Sequence, residues 1–427
     1  MEIDRLIPPA LKPVTDLQLI QANTNLLDNG LKVYSINAGS QEMVKVDIIF
    51  DGGYHHQEQN CLANSVTKLI TEGTKNKTAL EISEKFDFYG SFIQEECGPE
   101  SSTISLFCLN KYLGELIPLA NEVISEAIFP EEEIEIYKEN CKQRLAVNKK
   151  KNSYLSKNYF NKNLFGNGHP EGAIITNKDY NNLTRDLLVS YHKKTFVPEN
   201  CRIIISGSVN EKEIEILNQT FGKIELKKGT SESKEYQIEP DPEKYHFYDK
   251  HDSLQAAVAV GKFLFNRTHP DYFGMTLLNL ILGGYFGSRL MKNIREDKGY
   301  TYGIHSGIQA FKNTGVFFIR SEVKNEVYSE VLTEINKEIK QLQTTLIDET
   351  ELNTARNFIL GNFLRSFDGP FAMADRFRIL MENNLDYNYY HNYVHTVKTI
   401  TAKKLQELAN RYLQTDDLYQ VIVGKKQ

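Results

Sequence analysis

Gly283-Gly284-Tyr285-Phe286-Gly287-Ser288-Arg289-Leu290, running on through Ile294-Arg295-Glu296-Asp297-Lys298-Gly299-Tyr300-Thr301-Tyr302-Gly303, is the stretch on which the reading of this chain turns. Phe273, Leu277, Leu278, Ile281 and Leu282 precede it at helical spacing, and the Gly pair, free to take backbone angles closed to other residues, predicts the end of that helix. Ser288 is placed to cap a second helix whose buried stripe is Leu290, Met291 and Ile294, and Gly299 is placed to stop it. Arg295 then falls one turn before the stop, and Tyr302 falls in the strand that follows. Taken alone, the pair also reads as a helix-end cation facing the C-terminal dipole and a core aromatic.

Working outward, 427 residues with 41% hydrophobic side chains supply two to three domains with substantial cores. The formal charge of −6 is spread among interspersed acids and bases, which argues against nucleic-acid or membrane-surface partners, since either favours a concentrated basic patch. Lys149-Lys150-Lys151 is a short basic run of the kind a solvated loop carries. Cys61, Cys97, Cys108, Cys141 and Cys201 are scattered, odd in number and without C-x-x-C spacing, so reduced thiols in a cytoplasmic protein are expected. The opening Met-Glu-Ile-Asp-Arg-Leu-Ile-Pro-Pro lacks the basic-then-apolar pattern of a signal peptide, and no run reaches the ~18 apolar residues of a membrane span.

Along the chain, the alternating runs 30–36 and 44–50 predict a hairpin, followed by a helix with Leu62, Val66, Leu69 and Ile70 on one face that ends at Glu72-Gly73-Thr74. A second helix is expected over 79–88, strands over Phe92–Gln94 and Ser102–Leu109 around a polar bend at 95–100, and helices near 110–128, 131–147 and from Ser153. Residues 183–207 read as a helix and a buried strand, and 400–424 repeat them without a gap: Thr184 aligns with Thr401, Leu188 with Leu405, Tyr191 with Leu408, Ile204 with Val421 and Gly207 with Gly424. Residues 44–74 find a looser echo at 254–287. Two halves ending in the same unit imply a duplicated domain. The polar stretch from Lys227 to Lys244, with its Gly, Ser and Pro residues, marks the join. The expected class is α+β, with each half a mostly antiparallel sheet covered by helices, at 1–227 and 244–427 about a linker at 228–243.

Gly-Gly-x-x-x-Ser-Arg-Leu followed by Ile-Arg-Glu-x-Lys-Gly-x-x-Tyr resembles the C-terminal half of the insulinase/pitrilysin zinc peptidases, nearest to their short, mitochondrial-processing-peptidase-like members. The resemblance extends to Asn29-Gly30-Leu31-Lys32-Val33, to Leu164-Phe165-Gly166 with His169-Pro170-x-Gly172, and to Pro198-x-Asn200 before the strand that ends at Gly207. It implies that Arg295 and Tyr302, seven residues apart as in that family, bind a substrate carbonyl near a zinc ion.

Active members of the family carry His-x-x-Glu-His on the first helix of the N-terminal half, two imidazoles one turn apart for zinc and a Glu to take a proton. Matched residue by residue, the first His is Asn64, the Glu is Thr67 and the second His is Lys68, whose ammonium repels a metal cation; the further Glu ligand falls near Tyr137, with Glu139 close by. The resemblance therefore implies no metal in this chain. His55-His56-Gln57-Glu58 has part of a zinc spacing but precedes the helix and reads as a solvated loop.

Short members close face to face as pairs, so a chain that keeps Arg295 and Tyr302 but lacks zinc ligands is expected to be the non-zinc subunit of a heterodimeric metallopeptidase. Its partner would be a homologous chain with an intact His-x-x-Glu-His and its own zinc, and its substrate an unfolded peptide. Gly90-Ser91-Phe92-Ile93-Gln94 resembles the edge strand that active members offer to that peptide, which leaves open a scaffold or peptide binder without catalysis.

Overall fold

The computed structural model describes residues 18–226 and 235–426. The Pro-rich entry segment at the N-terminus and most of the first half of the expected linker lie outside these residues; 235–244 run without helix or strand.

Among the described residues the strands form two sheets. The first contains β1 (Asn23–Leu26), β2 (Lys32–Asn37), β3 (Met43–Asp51), β4 (Phe92–Cys97), β5 (Ser101–Leu109) and β6 (Cys201–Gly207), in the order β1-β2-β6-β3-β5-β4. The second contains β7 (Tyr245–Asp249), β8 (Gln255–Leu264), β9 (Thr301–Ala310), β10 (Gly315–Lys324) and β11 (Tyr419–Gly424), in the order β7-β11-β8-β10-β9. The pairs β2·β6 and β7·β11 are parallel and every other pair is antiparallel. The second sheet thus repeats the first without β1, and the edge strands β4 and β9 occupy equivalent places.

The repeated closing unit takes the same form twice. Thr184 accepts from the Leu187 amide to cap helix Arg185–Thr195, and Thr401 accepts from the Lys404 amide to cap helix Ala402–Tyr412. A 3₁₀ turn, Pro198–Asn200 or Thr415–Asp417, then leads into β6 or β11.

The predicted opening hairpin is not formed as expected. β2 and β3 do not pair with each other: β6 returns to lie between them, parallel to β2 and antiparallel to β3. β3 is buried along most of its length, so it requires covered neighbours on both sides, which a terminal hairpin would not supply. The expected bend at 95–100 also shortens, because antiparallel pairing with β5 carries β4 on to Cys97.

Each sheet is covered on one face by helices of its own half, which build the two large cores. The opposite face takes a helix from the other half. Helix Asn152–Phe165 sets Phe160, Leu164 and Phe165 against Ala259, Val316, Tyr419 and Val421 of the second sheet. Helix Pro370–Glu382 sets Ala374, Met373, Phe377 and Met381 against Ile36, Ile49 and Ile204 of the first. This exchange buries apolar side chains that either half alone would leave wet, each worth about 1.5–3 kcal/mol.

Candidate functional site

Helix Tyr272–Asn279 widens into π-helical turns over Leu280–Gly284, and a second π-helical segment spans Met291–Asp297. Such turns are uncommon and cluster at functional sites. Gly283 is required here by contact: a Cβ would stand 2.6 Å from Ser306 Oγ and 2.9 Å from the Ser306 amide, both on β9. Ser288 does not cap the second segment through its side chain, for its buried Oγ has no hydrogen-bond partner; its carbonyl instead accepts from the Lys292 amide. Gly299 does stop the segment, with φ +63° and the Tyr300 amide donating back to the Ile294 carbonyl at 3.0 Å.

Tyr302 is no core aromatic, since it is 92% exposed. Thr301 pairs with Val323 and Ile304 with Ser321, so Tyr302 and Gly303 together oppose the single residue Glu322. This bulge breaks the alternation that would direct Tyr302 to the same face as Ile304, toward the helices. The ring instead lines a cleft of about 280 Å³ with Gly303, His305, Arg320, Gln255 and, from the exchanged helix, Ser153 and Ser156. Arg295 is not among the residues lining this cleft; its guanidinium lies 4.6 Å from the centre of the exposed Phe286 ring.

The residues at the zinc-motif positions part company. Asn64 and Tyr137 share a pocket of about 300 Å³ with Tyr54, Cys61, Cys141, Arg144 and Tyr180. Glu139 does not line it and pairs instead with Lys142 at 2.6 Å. Thr67 is fully buried, its hydroxyl 2.8 Å from the Ala63 carbonyl and 2.9 Å from Ser102 Oγ. Lys68 is drawn to β4, where its ammonium donates to the Glu95 carbonyl and lies 3.4 Å from the Glu95 carboxylate. Burial raises the pKa of the Tyr137 phenol and lifts the Cys61 thiol to about 12. An amide and a phenol at the matched positions are not a zinc set. Among the described residues, no group of three or more His, Cys, Asp and Glu side chains could hold a metal ion.

β4 is an edge strand, but Gly90 and Ser91 do not belong to it. Gly90 takes a left-handed φ of +60°, and Ser91 is buried with its hydroxyl returned to the Phe86 carbonyl at 2.8 Å, so both finish the preceding helix. Phe92, Ile93 and Gln94 are in the strand; Phe92 stacks on Phe107 at 4.5 Å and Gln94 lines the large cavity between the halves.

The loop at His55-His56-Gln57-Glu58 is packed, not solvated. His55 bridges Glu100 at 3.1 Å and Glu171 at 3.2 Å. Burial opposes its charge, but the hydrogen bonds that its ring donates to the two carboxylates, with their charge, outweigh burial and raise its pKa to about 9. Glu58 turns away to Lys194.

His305 and Arg320 escaped the sequence reading. A lone Arg within the apolar alternation of Gly315-Val316-Phe317-Phe318-Ile319-Arg320 was the available signal.

Residues 182–359 match the family model described as Peptidase M16 inactive domain. The chain is 21% identical over 354 residues to the uncharacterized zinc protease YmxG of Bacillus subtilis, covering 82% of this chain and 85% of that protein. It is 21% identical over 388 residues to the non-peptidase homolog YmxG of Helicobacter pylori, covering 89% of each. The solved M16 inactive-domain structure from Pseudomonas fluorescens superposes with a TM-score of 0.85 at 22% identity, over 95% of this chain and 98% of that one. In the Complex III2 structure from Candida albicans, one chain aligns with a TM-score of 0.75 at 15% identity, over 94% and 95% of the two chains. The chain is thus similar to the Peptidase M16 inactive domain over residues 182–359 and shares the fold of the solved M16-type structures.

Proposed function

We propose that this chain is the non-zinc subunit of a heterodimeric M16-type metallopeptidase, presenting Arg295 and Tyr302 to an unfolded peptide held at a partner's zinc site. The observation that carries this reading is the β9 bulge, which sets Tyr302 out into a cleft while the first half has Asn64, Thr67, Lys68 and Tyr137 where metal chemistry would need ligands. The phenol and the guanidinium would donate hydrogen bonds to the scissile carbonyl as negative charge develops on it. Loss of one such donor costs about two to three orders of magnitude in rate. Arg295 would leave the Phe286 ring to do so, a cation–π contact of roughly 0.5–1 kcal/mol at an exposed site.

The test is peptide hydrolysis by the purified chain, alone and mixed with a homologous chain bearing His-x-x-Glu-His, with zinc counted in each. Activity is expected only in the mixture, reduced about 10²- to 10³-fold by Tyr302→Phe and Arg295→Ala, with zinc confined to the partner. A mixture no more active than the partner alone sinks the proposal.

A second reading, a scaffold or peptide binder without catalysis, is favoured by the separation of Arg295 from the Tyr302 cleft and by the open edge of β4. It predicts variants of Arg295 and Tyr302 that behave as wild type in the mixture. Among the described residues, no helix is long and apolar enough to cross a membrane.

A further inference from the structure

The cleft beside Tyr302 contains a cation, Arg320, that has no ion-pair partner among the described residues. Arg320 stands midway along β10 with its guanidinium carbon 4.2 Å from the centre of the Phe318 ring. Its Nε is buried and has no hydrogen-bond partner. Burial alone pushes its pKa down to about 10. Glu322, two residues along and lining the same cleft, is exposed and makes no ion pair with it. Buried charges are ordinarily paired and hydrogen-bonded, because an arginine shielded from water without an anion costs stability. Beside the Glu322 carboxylate, the cleft also presents groups that can donate a hydrogen bond to an anion: the Tyr302 phenol, the hydroxyls of Ser153 and Ser156, and the His305 ring. The adjacent strand β9 is an open sheet edge along which an extended peptide can lie.

We propose that the Tyr302 cleft is a carboxylate-binding subsite, in which Arg320 receives a carboxylate of a peptide lying along the β9 edge. A guanidinium matches a carboxylate with two parallel N–H···O bonds, which supplies both the missing charge and the missing hydrogen bonds. The inference rests on the peptide-binding reading of this face. It is read by binding to the chain alone, so its failure leaves the hydrolysis test of the mixture untouched.

A fluorescein-labelled, unstructured ten-residue peptide is prepared with a C-terminal acid or amide and with an internal Glu or Gln, and its anisotropy is titrated against wild type, Arg320→Gln and Arg320→Lys. Wild type should bind at least one acidic form about tenfold or more tightly than the neutral peptide. Arg320→Gln should erase that preference without changing the neutral peptide, and Arg320→Lys should restore part of it. Which peptide gains identifies the carboxylate as terminal or side chain. Absence of any preference for acid in wild type, or its survival in Arg320→Gln, overturns the proposal. Arg320→Met supplies an independent readout: its thermal midpoint should equal or exceed wild type, and a fall of about 5 °C or more would assign Arg320 to stability instead.

Discussion

The two edge strands, β4 and β9, occupy the same place in two sheets of the same order, yet their side chains set up different surroundings. At β4 Lys68 is tied to the Glu95 carbonyl and carboxylate, beside a pocket of phenols, thiols and an amide. At β9 a bulge places Tyr302 in solvent next to the unpaired Arg320. Duplicated architecture therefore fixes where a site can stand, and a few side chains decide whether it holds chemistry.

The equivalence of the halves can be broken most severely at the glycines that close them. Gly207 has φ +127°, and a Cβ would stand 2.0 Å from the Met43 carbonyl oxygen; at Gly424 the nearest atom is the Ala256 Cβ at 2.8 Å. Gly207→Ala should therefore cost about 4 kcal/mol or prevent folding, against about 1–3 kcal/mol for Gly424→Ala, by urea unfolding. Equal losses would show that the two closures are interchangeable after all.

A smaller and symmetric effect is expected at the helix caps. Thr184→Ala and Thr401→Ala should each cost about 1 kcal/mol, because each hydroxyl satisfies one amide of the first turn. A difference of more than about 1 kcal/mol between them would deny that the repeated unit is energetically a repeat.

A pH-dependent effect also distinguishes the halves. With its folded pKa raised to about 9 against about 6.5 unfolded, His55 adds stability that is fully present below the unfolded value and lost as pH rises through about 9. The thermal midpoint should fall by a few degrees at most between pH 6.5 and 9.5, and His55→Gln should flatten that fall. An unchanged slope in His55→Gln would place the titration elsewhere.

Much of this organisation was legible in the residues. The gapless register from Thr184 to Gly207 against Thr401 to Gly424 shows duplication, because a cap, an apolar helix face and a buried strand leave a local pattern. Asn64, Thr67 and Lys68 fall on one short helix, as their spacing predicts, but only the fold buries Thr67 while leaving Asn64 and Lys68 exposed. Gly90 and Ser91 were misplaced into a strand because a left-handed glycine and a hydroxyl returned to a helix carbonyl end a helix without altering the apolar pattern. Helix Pro370–Glu382 has an amphipathic period, but nothing local states that its apolar face covers the opposite half.

The sequence by itself determined most of the local elements and the repeat of the closing unit, since each depends on neighbours within a turn or a strand. Only the tertiary structure decided that β6 separates β2 from β3, that each half lends a helix to the other, and that Tyr302 shares its cleft with Arg320 and not with Arg295. Strand order and bulges are set by long-range pairing and by the burial of whole faces, and those forces act between residues that no local spacing connects.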